Sequence, residues 1–260
     1  MALFPLKDDN PLTRIPFQYL TAVLVGICVV VFLWQVSLAA EGETAILGLG
    51  AIPAVLFGIR ELAPELVLVP APLTLVTSMF LHGGWMHLIG NMAFLWIFGD
   101  NIEDSMGHSR FLVFYLLCGV AAALAHAALN ADSIAPMVGA SGAISGVLGA
   151  YLVLHPKTRV LVLFMLMVTR LPAFVVLGAW IGLQVFNATM SGGATGGDTA
   201  WWAHIGGFVA GAALIVPFRH KTVPLFDGGG LPGRRGRTAP RRRRRKRRSI
   251  VPDSRKGPWD

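Results

Sequence analysis

Residues 17–39, FQYLTAVLVGICVVVFLWQVSLA, run for 23 positions without a charged side chain. A helix needs ~20 such residues to cross the ~30 Å hydrocarbon layer of a bilayer. In that medium every backbone N–H and C=O must find its partner within the protein, which restricts the chain to helical spans. The rest of the sequence follows suit. It is 54% apolar and only 14% charged, against roughly a quarter charged in soluble domains, and its mean hydropathy is +0.62. These figures predict an all-α polytopic membrane protein.

The net charge of +8 describes one end of the chain. Residues 219–260 carry 15 of the 22 Lys and Arg but 3 of the 14 acidic residues, so the preceding 218 residues are net acidic. RRRRRKRR at 241–248 repels itself and has no apolar partners, which predicts a disordered tail. Such a tail acts first as a topology anchor. Anionic lipid headgroups are a candidate partner. Nucleic acid is not an expected partner, because no base-reading fold accompanies the basic run. Cys28 and Cys118 lie in apolar runs and read as small core residues, not a disulfide pair. The opening MALFPLKDDNPLTRIPF lacks the order of a signal peptide, so 17–39 is expected to be retained as a first span.

Six spans are predicted, near 17–39, 78–98, 111–129, 139–154, 172–186 and 200–217. They divide the chain into a cytoplasmic segment (1–16), a six-helix membrane domain (17–218) and a tail (219–260). The connection 40–72 mixes apolar residues with prolines and acids, which suits a partly embedded outer loop. VLVLFMLMV at 160–168 is too short to cross alone and is expected to lie at an interface. Span 4 has 15 or 16 residues, ~24 Å of helix, and should begin below one surface where water reaches its first turn. The basic tail and HPKTR at 155–159 put both ends inside by the positive-inside rule. The acidic stretch DNIEDSMGHSR between spans 2 and 3 is then also inside, a mild discord.

On this topology several polar groups share one depth. Ser141 opens span 4 and His204 lies one turn into span 6. His87 and Asn91, four apart on span 2, share a helical face. A serine hydroxyl is a weak nucleophile until a base within hydrogen-bond reach takes its proton. His204 is the candidate base. Gly207 and Gly211 extend its stripe at i+3 and i+7, and Gly142, Gly146 and Gly149 form a matching stripe on span 4. Small residues on both surfaces let membrane helices pack closely. His87, Asn91 and the Ser141 backbone amide are candidate donors to a developing oxyanion. His82 is a candidate cavity-lining residue. The competing reading makes Ser141 part of a glycine zipper and each histidine a packing residue, though an ionisable group inside a span is costly and favours function. No carboxylate is placed to orient His204, leaving backbone, aromatic packing or water for that task. The histidine spacings match no metal motif, and no cofactor or metal is expected.

TSMFLHGGWMHLIGNMAFLWIFGDNIED, GASGAISGVLGAYL and AHIGGFVAG, in this order, resemble the rhomboid family of intramembrane serine proteases over most of 70–218. The resemblance implies that Ser141 is the nucleophile and His204 the base, with His87 and Asn91 in the oxyanion region and His82 the additional upstream histidine. It implies hydrolysis of peptide bonds in transmembrane proteins near their extracytoplasmic ends. Arg110 fits the basic-aromatic start of the family's third helix. Pro72-Leu73 stands where many members have Trp-Arg, which bears on how the outer loop is braced. Two other readings compete: a catalytically inactive relative that binds membrane clients, and a small transporter. The compact design and the lack of a transit peptide point to a bacterial cytoplasmic membrane.

Overall fold

The computed structural model describes residues 3–165, 167–190 and 200–227. The glycine-rich stretch 191–199 and the expected tail from 228 onward lie outside these residues. The chain begins with strand β1 (Leu3–Asp8) and the long helix α1 (Tyr19–Ser37). Three short helices follow, α2 (Gly42–Leu49), α3 (Pro53–Leu56) and α4 (Thr74–Thr77), with one 3-10 turn before α2, two between α3 and α4, and one after α4. Then come α5 (Trp85–Met106), α6 (His108–Leu129) and α7 (Ser141–Leu154). A hairpin of β2 (Arg159–Phe164) and β3 (Met167–Pro172) leads into α8 (Ala173–Met190) and, last, α9 (Trp201–Phe218).

The result is a helical membrane bundle. Helices α1, α6, α8 and α9 are each long and apolar enough to cross a membrane. The segment Pro64–Phe80 and α5 qualify as a pair, bent by 80° at residues 81–84. Helix α7, with 14 residues, is shorter; it rises about 21 Å. It is buried without a break from Gly142 to Tyr151, so it is the bundle's central post.

Glycine sets the distances around that post. A methyl group on Gly211 would lie 1.9 Å from the Gly146 carbonyl oxygen, and one on Gly207 would lie 2.1 Å from that of Gly142. From the other side, a methyl on Gly149 would meet the Phe208 carbonyl oxygen at 2.1 Å. Helices α7 and α9 therefore touch backbone to backbone. Helix α6 joins them through small residues, since methyls on Gly142 and Gly206 would meet Ala122 and Ala125 at 2.6 and 2.4 Å.

Three expectations change. Helix α5 starts at Trp85, seven residues later than expected, because the glycines at 83 and 84 interrupt the run; His82 precedes the helix. It also continues to Met106, so DNIED forms its last turns and not a loop. Those acids are satisfied by main chain. Glu103, fully buried, accepts the Leu20 and Thr21 amides at 2.9 and 2.8 Å and the Thr21 hydroxyl at 2.7 Å. It thereby serves the first amides of α1, which has no side-chain cap of its own. Asp104 accepts the amides of Thr13, Arg14 and Ile15 at 3.1, 2.6 and 2.8 Å.

The second change concerns 160–168, where the interfacial segment is a hairpin. Residues 159–164 pair antiparallel with both β1 and β3, in the order β1-β2-β3. The run is rich in β-branched residues, and its alternation buries Val160 and Val162 completely. The third change is at the C-terminal boundary. The chain stays packed past 218: Val223 is buried, the Phe226 and Asp227 amides donate to the Val153 and Leu154 carbonyls, and His155 pairs with Asp227 at 2.6 Å.

Two measurements check this packing. Gly211→Ala should lower stability in detergent by at least about 2 kcal/mol, because backbone blocks the added methyl. Gly26→Ala, which meets nothing within 4 Å, should stay within about 1 kcal/mol of wild type; matching melting temperatures would refute the close contact. Asp8 tests the sheet end. Its carboxyl accepts from the Tyr151 hydroxyl at 2.6 Å and Asn101 Nδ2 at 3.1 Å. Burial lifts it from 3.8 to about 6, against the opposing pull of the Tyr151 bond and the His155 charge. The folded form therefore holds this proton more tightly than the unfolded chain does. The resulting stabilisation is complete below pH 3.8 and is lost as pH rises through about 6, on the order of 3 kcal/mol in all. Asp8→Asn should flatten that part of a stability–pH curve.

Candidate active site

Ser141 is the first residue of α7 and His204 the fourth of α9. The glycine contacts described above bring the two helix starts together, and Ser141 Oγ lies 2.9 Å from His204 Nε2. Both residues are half-buried, so the hydroxyl is sheltered without being sealed. The Ser141 amide belongs to the first turn of α7, where N–H groups lack partners within the helix and the helix dipole is positive. The Ser141 carbonyl is occupied by the Ser145 hydroxyl, 2.5 Å away.

His87 sits in the first turn of α5, and Gly139 seats its ring. A methyl on Gly139 would lie 2.8 Å from His87 Nε2 and 3.7 Å from Ser141 Oγ. The ring and the hydroxyl thus flank the same glycine, whose φ of +121° also excludes a side chain. Asn91 is buried one turn further along α5 and donates from Nδ2 to the His87 carbonyl at 3.0 Å. That bond turns at least one of its two N–H groups back onto its own helix.

His82 is buried in the break before α5. Its amide donates to Gln35 Oε1 at 3.0 Å and its carbonyl accepts from Gln35 Nε2 at 3.3 Å, so α1 holds it by both backbone groups. Its ring meets that of His87 edge to face, with centroids 5.4 Å apart. Among the described residues no three His, Cys, Asp or Glu side chains converge as a metal site would require.

The loop before α5 is tied to the segment leading into Ser141. Ala51 and Met137 exchange both backbone hydrogen bonds, at 3.0 and 2.8 Å, and the Gly139 amide donates to Ser78 O at 2.9 Å. The Thr77 hydroxyl donates to Leu49 O at 2.6 Å. Bracing at this point is done by main chain and a threonine, while Pro72 and Leu73 form a 3-10 turn that runs directly into α4.

What sequence reasoning missed is the group behind the histidine. Gln184 Oε1 on α8 lies 2.8 Å from His204 Nδ1. Aromatic packing is present as expected, with Trp180 5.8 Å and Trp201 6.2 Å from the His204 ring, centroid to centroid. One signal was available: Gln184 is the only amide or charged side chain in residues 173–186. Gln35 stands out in α1 in the same way.

Gly139→Ala should displace the His87 ring and reduce fluorophosphonate labelling of Ser141 by at least about tenfold, the scale of a small misplacement beside a reacting group. Gly83→Ala, whose methyl would meet His87 only at 3.8 Å, should label like wild type.

The sequence model of the Rhomboid domain matches residues 71–221. The chain is 36% identical over 143 residues to rhomboid protease GluP of Bacillus subtilis, covering 55% of this chain and 26% of that protein. It is 31% identical over 156 residues to the mitochondrial rhomboid protein 1 of Saccharomyces cerevisiae, covering 55% and 41%. It is also 42% identical over 79 residues to rhomboid-like protease 5 of Toxoplasma gondii, covering 29% and 9%. The chain thus spans less than half the length of each of these relatives.

Proposed function

The chain belongs to the rhomboid family, and from that premise we propose that it is an intramembrane serine endopeptidase with Ser141 as nucleophile and His204 as general base. The observation that carries this reading is the 2.9 Å separation of Ser141 Oγ and His204 Nε2. At that distance the imidazole accepts the hydroxyl proton as oxygen attacks a peptide carbonyl. The oxyanion that forms lies at the start of α7, where the Ser141 amide and the His87 ring are the nearest donors, with Asn91 behind them. His204 then passes its proton to the departing amine, and a water molecule activated by the same nitrogen releases the acyl group from Ser141. Two of the similar proteins carry the name protease, which supports the reading.

The substrates are transmembrane proteins. A peptide bond within a helix is hydrogen-bonded and covered by side chains, so a scissile segment must unwind before attack. Small, helix-weakening residues near the extracytoplasmic end of a substrate meet that requirement. The basic residues after α9 favour cytoplasmic termini, with the site opening to the opposite side. A bacterial cytoplasmic membrane suits that arrangement, and the arginine-rich tail is suited to anionic lipid headgroups.

Reconstituted protein with a transmembrane substrate tests the assignment. Wild type should cleave, and Ser141→Ala and His204→Ala should each cut the rate by at least about 10³-fold while remaining folded. Undiminished cleavage by either variant would overturn the mechanism. A folded wild type that binds but never cleaves would point to a client-binding relative, and solute flux through the same vesicles to a transporter.

A further inference from the structure

Helix α8 buries only five of its residues, Ala173, Val176, Leu177, Gln184 and Ala188. Four are apolar, as a membrane helix packing on its neighbours requires. The fifth is a carboxamide, 2% exposed. Burying such a group costs about 1–3 kcal/mol unless its polar atoms are paired, and a leucine would pack there without that cost. Both ends of this amide are paired. Nε2 donates to the Trp180 carbonyl at 3.1 Å, and Oε1 faces His204 Nδ1 at 2.8 Å.

The first bond fixes the meaning of the second. A backbone carbonyl only accepts, so the nitrogen of the amide must face Trp180 and the oxygen must face His204. An amide oxygen only accepts as well, so His204 Nδ1 must carry hydrogen. In a neutral imidazole this leaves the lone pair on Nε2, the atom 2.9 Å from Ser141 Oγ. We propose that Gln184 is a positioning residue that holds His204 in the Nδ1–H tautomer, the only neutral form able to take the serine proton. It fills by a neutral amide the place that a carboxylate occupies in a three-residue constellation. Trp180, one turn earlier on α8, stacks on Phe208 at 6.3 Å and flanks the imidazole ring, so α8 fixes the plane of the ring as well as its tautomer. The acceptor belongs to neither of the two glycine-packed helices. Any displacement of α8 from α9 removes it and leaves the base free to choose its tautomer.

The proposal rests on the serine protease reading but is tested apart from it. Nitrogen-15 spectra of histidine-labelled protein in detergent report the tautomer directly, with the His204 signals assigned by their loss in His204→Ala. The charged or titratable neighbours acting on His204 are His87 and His126, and both stay constant across the series. Wild type should show protonated Nδ1 and unprotonated Nε2 at His204. Gln184→Met, of similar shape, should lose that preference, and Gln184→Glu, which retains an acceptor, should keep it. In the cleavage assay Gln184→Met should lower kcat by about 10- to 100-fold with KM unchanged, and Gln184→Glu should retain more activity. An unchanged tautomer in Gln184→Met, or protonated Nε2 in wild type, overturns the proposal even if the enzyme cleaves. If wild type shows the expected tautomer but never cleaves, the protease reading fails and the positioning role stands. Should Gln184→Met not fold, Gln184→Glu decides, since loss of the Nδ1–H form there is equally fatal.

Discussion

The backbone contact between α7 and α9 governs this molecule. A membrane offers little hydrophobic reward for bringing helices together, because lipid tails are as apolar as leucine. Close packing must supply the attraction instead. Gly142, Gly146 and Gly149 on one helix and Gly207 and Gly211 on the other bring main chain to within van der Waals contact. Ser141 and His204 sit at the ends of those stripes, so their separation is inherited from the glycine contact. A single added methyl group along the stripe would be felt at the hydroxyl–imidazole pair.

That contact was legible in the sequence because it is written in local periodicity. Glycines at i+3 and i+7 from His204, and three or four apart at 142, 146 and 149, announce small helix faces. Ser141 and His204 lie on those faces, with their side chains 2.9 Å apart, while His87 stood out by its spacing of four from Asn91, and its ring lies beside Gly139. Gln184 escaped because its role depends on the angle at which α8 crosses α9, which no periodicity encodes. Its isolation in an apolar run was a visible clue without a visible partner.

The remaining surprises share a cause. Residues 100–104, the hairpin at 159–172 and the segment 219–227 all lie at the end of the bundle away from Ser141, and each is satisfied by a partner far away in the chain. A run of acids reads as a solvated loop until Glu103 and Asp104 are seen to receive main-chain amides from residues 13–21. Val160 and Val162 read as too short a span until β1 supplies the neighbouring strand. Short-range pattern resolves a helix face well and a hydrogen-bond ledger spread over a hundred residues poorly.

The grip of α5 on the start of α1 has a bearing on biogenesis. Leu20 and its acceptor on Glu103 are separated by 83 positions. A ribosome therefore delivers α1 with its leading amides unanswered and supplies their acceptor only once the end of α5 has been translated. Until then those groups must be hydrated or held by the insertion machinery. Helix α1 is finished by a helix made later, and a nascent chain arrested before residue 103 would present an incomplete terminus for quality control to recognise.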